Sequence, residues 1–126
     1  MRRDSREMAF KLIFESLFNE NPFDEDLFKE LKEKDLPFCV EIISAYREHK
    51  DEIQESIKKS LTAYKLERVY KIDLALAYEA LTEIKFLKTP PAVAINEILE
   101  IAKIYSTENS PKFLNGLLSS YLKGEN

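Results

Sequence analysis

The run LERVYKIDLALAYEALTEIKFL, residues 66–87, decides the fold. Within it Ile72, Leu74, Ala75, Leu76, Ala77, Tyr78, Ala80 and Leu81 place apolar groups almost all the way round a helix. A helix without a polar face has to be surrounded by others, so this segment is predicted to be the central rod of the domain.

Working outward, the rest of the chain supplies helices to surround it. Upstream, a first helix is expected over about Asp4 to Glu20, with Phe10, Ile13, Phe14 and Leu17 as its apolar stripe and Asn19, Asn21 and Pro22 as its stop. An acidic amphipathic helix follows over about Asp24 to Lys34. Pro37 suits the first turn of a third helix reaching Glu48, and a more polar fourth spans about Asp51 to Leu61. Downstream, Thr89-Pro90-Pro91 breaks and restarts the chain into a helix striped by Ile95, Ile98, Leu99, Ala102 and Tyr105. Ser110-Pro111 reads as an N-cap and first helical proline opening a last helix through about Lys123. No period-two strand pattern survives between the turn residues. The expected fold is all-α, with about seven helices in one domain over residues 1–126 and short connections that favour packed bundles.

Composition narrows the function. Apolar residues at 44% and charged residues at 33% argue against disorder and against a membrane protein, and the arginine-rich start lacks the apolar run of a signal peptide. A cytoplasmic protein is the expectation. One cysteine, Cys39, excludes an internal disulfide and multi-thiolate metal sites, and one histidine, His49, excludes a histidine metal cage. The only glycines, Gly116 and Gly124, leave no room for a phosphate-cradling loop or a nucleophile elbow. Neither a cofactor, a bound metal nor an enzymatic activity is expected. Net charge is −4, yet residues 1–11 carry four positive side chains against two negative. An acidic chain binds nucleic acid poorly overall, so any such binding must be local and assisted.

Two places could carry that binding. Arg2, Arg3 and Arg6 fall within roughly a 100° arc of the first helical turns and could fork onto several phosphates. Cations oppose the dipole at a helix N-terminus, which leans towards function, although a solvated helix start with Arg3 paired to Glu7 would also account for them. Lys112 and Phe113 fall in the first turn of the last helix, where free N–H groups favour phosphate and a ring could stack a base. Alternatively, Phe113 is core and Lys112 a surface charge. In the turn before them, neutral Asn109 is placed near the RNA path, where a carboxylate would repel phosphate. Glu97 and Glu100 look too poor in partners for an acid–base pair, and Cys39 reads as a packing residue.

Read together, these segments resemble the NusB family of transcription antitermination factors. The resemblance is carried by Arg2-Arg3-Asp4-Ser5-Arg6-Glu7-Met8-Ala9, by Tyr64-Lys65-Leu66-Glu67-Arg68-Val69 with Ile72-Asp73, and by Val93-Ala94-Ile95-Asn96-Glu97, Ile101-Ala102-Lys103 and Lys112-Phe113-Leu114-Asn115-Gly116-Leu117-Leu118. It covers nearly the whole chain, least over Asn19 to Asp35. It implies two small helical bundles without catalysis. It also implies binding of the single-stranded boxA RNA of ribosomal RNA leaders, together with the ribosomal protein NusE, within the RNA polymerase antitermination complex.

On that reading Arg2, Arg3, Arg6, Asn109, Lys112 and Phe113 meet RNA, while Phe14 and an acidic face around Glu67 and Asp73 receive the basic partner. Glu67 and Asp73 differ by roughly 240° in azimuth on one straight helix, so a shared partner requires a helix boundary between Lys65 and Lys71. Departures from the family pattern are Leu74 and Tyr78 where Arg is frequent, Tyr64 for Trp, and Phe14 for a Tyr whose hydroxyl could bond a partner. Alternatives are a helix-bundle protein–protein adaptor without RNA binding and an accessory domain of an RNA methyltransferase, the latter disfavoured by a chain that ends at Asn126. Self-association as a homodimer is left open.

Overall fold

The computed structural model describes residues 2–18, 25–61 and 66–125. Among the described residues five α-helices carry the fold: α1 (Arg2–Ser16), α2 (Leu36–Ser60), α3 (Lys71–Phe86), α4 (Pro91–Tyr105) and α5 (Ser110–Glu125). Short 3₁₀ turns lie at Glu25–Glu30 and Leu66–Arg68, and no strand occurs among the described residues. No helix among them is long and apolar enough to cross a membrane.

α3 is the central rod. Every residue from Asp73 to Glu83 is buried, as the lack of a polar face requires. α1, α2 and α3 pack on one another, α3, α4 and α5 do the same, and α2 also touches α5. The architecture is therefore two three-helix groups sharing one member.

Two expectations are corrected and one is refined. The third and fourth predicted helices run on into each other as α2, and the expected break between Glu48 and Asp51 is a kink at His49, whose backbone leaves helical values at φ −116°, ψ 21°. Continuity through the polar residues 47–52 follows from burial on both sides of them, Tyr46 before and Ile53 and Ile57 after, along one stripe. The His49 ring stacks on Phe86 of α3, with centroids 3.8 Å apart and planes at 4°, so the kink is packed. The predicted acidic helix is a single 3₁₀ stretch where described, and α1 ends at Ser16, with the Asn19-Asn21-Pro22 stop outside the described residues.

Proline behaves as read, opening α2 and α4 in their first turns. Between α3 and α4, Lys88 takes a left-handed φ of 61°, which turns the Thr89 N–H back onto the Glu83 carbonyl at 3.1 Å.

Candidate RNA-binding surface

The arginines of α1 do not form one solvated arc. Arg2 is exposed, its Cζ 4.2 Å from the centre of the Phe38 ring. Arg3 pairs through Nη2 with Glu97 Oε2 of α4 at 3.2 Å, not with Glu7. Arg6 is buried: its Nε and Nη2 donate to the two oxygens of Glu83 on α3, each at 2.8 Å. The expectation of Arg6 as an exposed phosphate ligand is corrected on that ground. One turn of helix carries it inward, where only a carboxylate can offset its burial.

Around that pair lies a polar cluster inside the core. Thr89 donates to Glu83 at 3.1 Å, while Glu79, one turn earlier on α3, is fully buried and no donor reaches either of its oxygens. Burial, and then the adjacent Glu83 charge, push the Glu79 carboxyl well above the usual range, towards the neutral form. Burial is the largest single influence and acts to raise Glu83, but the Arg6 hydrogen bond and charge, together with hydrogen bonding from Thr89 and the neighbouring Glu79, hold it below its ordinary value.

These shifts have opposite signs in stability. The Glu79 contribution is full below the ordinary carboxylate range and is lost as pH rises through its raised folded value. The Glu83 contribution is present above that range and is lost as pH falls through its lowered one. Glu79→Gln keeps the shape and cannot ionise, and is expected to abolish the decline towards higher pH while leaving the acid-side loss. Melting temperature followed from acid to neutral pH checks it.

The second region is the α4–α5 turn. Asp73, in the first turn of α3, is buried and accepts hydrogen bonds from Ser106 Oγ at 2.6 Å and Ser110 Oγ at 3.0 Å. This corrects its place on an acidic surface: a carboxylate here suits the α3 N-terminus and pins the turn. Ser110 does not cap α5 as expected, since its hydroxyl also accepts from the Thr107 N–H at 3.1 Å. The Asn109 carbonyl accepts the first helical bond instead, from the Phe113 N–H. Asn109 and Lys112 are exposed, and Phe113 is half-buried against the core. Phe113, Asn109, Thr107, Tyr70 and Arg68 line a cleft of about 160 Å³. Tyr70, 64% exposed, is an aromatic that sequence reasoning passed over.

α4 spans the two regions. It meets α1 through Glu97, through Tyr105, which donates to Glu7 at 3.2 Å, and through Lys11 over the Tyr105 ring at 5.1 Å; it then runs into the Asn109 turn. From Glu97 to Tyr105 is about 12 Å of helix axis. The three residues expected to meet a protein partner are not brought together. Phe14 is half-buried near the end of α1, its ring 5.1 Å from that of exposed Phe18; Glu67 is exposed in the 3₁₀ turn before α3; and Asp73 is inside. The helix boundary between Lys65 and Lys71 is present, α3 starting at Lys71.

The NusB family model matches residues 3–123. The transcription antitermination protein NusB of Clostridium novyi (strain NT) is 40% identical, the match covering 97% of this chain and 98% of that protein. NusB of T. maritima superposes with a TM-score of 0.86 at 32% identity, over 98% of this chain and 91% of that one. A solved complex of the antitermination factors NusB and NusE with double-stranded RNA shares the fold, with a TM-score of 0.85 at 24% identity over 98% of this chain and 96% of that one.

Proposed function

The chain belongs to the NusB family, and from that premise we propose that it is a non-enzymatic antitermination factor of the cytoplasm that binds boxA RNA together with NusE. The observation that carries the reading is the turn before α5. There exposed Asn109 and Lys112 flank half-buried Phe113 beside an open cleft, at a helix start where N–H groups favour phosphate. Arg2 and Arg3 extend the phosphate-binding surface to α1, with α4 between them and the turn. Phe14, with Phe18 beside it, and Glu67 are the exposed or half-exposed residues offered to NusE. Net acidity agrees with a chain that leaves much of the counter-charge to its partner.

A fluorescence titration with boxA-type single-stranded RNA, with and without NusE, tests the reading. Tight NusE-dependent binding supports it, and no binding in either case selects the protein–protein adaptor. In the same titration Asn109→Asp is expected to weaken binding through like-charge repulsion, more at low salt than at high. Phe113→Ala should cost about 1–3 kcal/mol of RNA affinity. Its half-burial implies a smaller fall in melting temperature than the loss of a core aromatic gives.

A further inference from the structure

The two arginines of α1 that reach solvent are held in different ways. Arg2 lies over the Phe38 ring, and a ring face attracts the cation while leaving its N–H edge open to a phosphate. Arg3 instead points Nη2 at the Glu97 carboxylate, 3.2 Å away and 94 residues distant in sequence. The Glu97 side chain is 27% exposed and that of Arg3 41%, so water screens the pair only in part. A phosphate approaching Arg3 competes for the same donor and meets the Glu97 charge as it arrives.

We propose that Glu97 is a built-in competitor for the phosphate site of Arg3. The inference rests on the RNA-binding reading above and adds the residue that sets its affinity. Arg2 is the phosphate ligand available from the outset. Arg3 is recruited only when RNA displaces the carboxylate, which turns outward into solvent. α4 carries Glu97 at its Arg3 end and leads into the Asn109 turn at the other, so the competitor lies at one of the two regions that the strand has to reach. Weak polyanions that touch α1 alone gain little from Arg3, whereas a strand held at both regions supplies the free energy to open the pair.

The test is a double-mutant cycle read by titration of a fluorescent boxA-type single-stranded RNA in the presence of NusE. Glu97→Gln removes the charge and keeps the shape; it is expected to tighten binding by about two- to fivefold at low salt, with the gain fading as salt is raised. Glu97→Ala should act in the same direction. In the Arg3→Ala background Glu97→Gln should give no such gain, and Arg3→Ala alone should weaken binding less than Arg2→Ala. Melting curves establish that each variant is folded. If the wild type binds and Glu97→Gln binds equally or more weakly, the proposal is overturned and Glu97 is neutral or an orienting group. If the same gain persists without Arg3, the competition is not at Arg3 and the proposal is again overturned. Failure of the wild type to bind RNA at all overturns the functional reading itself, and this proposal with it.

Discussion

Arg6→Ala is expected to lower the unfolding free energy by about 3–5 kcal/mol, the cost of breaking a buried ion pair by removing one partner. The guanidinium makes both of its bonds to Glu83 inside the core, and Glu79 lies beside them with no other donor. Without Arg6, two buried carboxyls face each other with no cation. Glu83 then stays ionised at a large desolvation cost or takes up a proton at neutral pH. Stability should therefore recover partly as pH falls, opposite to the wild-type acid loss. The double variant Arg6→Ala/Glu83→Ala should lose less than the sum of the singles, because the second change removes the orphaned charge. Urea unfolding of the three variants measures all of this. Arg2→Ala, at an exposed side chain, should change stability by no more than about 0.5 kcal/mol.

The second large effect is at Asp73. Asp73→Lys puts a cation where the Ser106 and Ser110 hydroxyls already donate, in a site only 3% exposed and at the positive end of the α3 dipole. A loss of about 3–5 kcal/mol is expected, the cost of an uncompensated buried charge. Asp73→Asn keeps an acceptor and should cost about 1–2 kcal/mol. Both should weaken RNA binding as well as stability, because the same hydroxyls hold the turn that presents Asn109. Had Asp73 been a surface contact for a partner protein, its reversal would have left melting and RNA affinity unchanged. Melting and RNA titration on one preparation separate the two cases.

The residues read most directly from the sequence are those whose periodicity is their structure. The all-round apolar pattern of 72–81 is the buried rod, and the prolines at 37, 90 and 91 mark helix starts. The polar residues 47–52 mark the kink of α2 at His49, while Phe38, Ile42, Tyr46, Ile53 and Ile57 keep helical spacing across it and join the two halves. The partnerships of the charged residues were not legible. Arg6 and Glu83 are 77 positions apart, and Arg3 and Glu97 are 94. Nothing local distinguishes a glutamate on a helix face from one that crosses to another helix. Lys112 and Asn109 lie exposed where the pattern put them, whereas Arg6 and Asp73 turned inward because each found a partner that periodicity cannot reveal.

Both regions of the proposed RNA surface are fastened to α3, the turn through Asp73 near its start and α1 through Glu83 near its end. Ten residues of unbroken helix separate those fastenings, about 15 Å of axis. A rod buried along that whole length has no room to bend, so it acts as a ruler between the two grips. Adjustment then falls on the nucleic acid, which has to bring its phosphates to a spacing fixed before it arrives. Discrimination by such a gauge depends on how many nucleotides lie between the grips as well as on which they are.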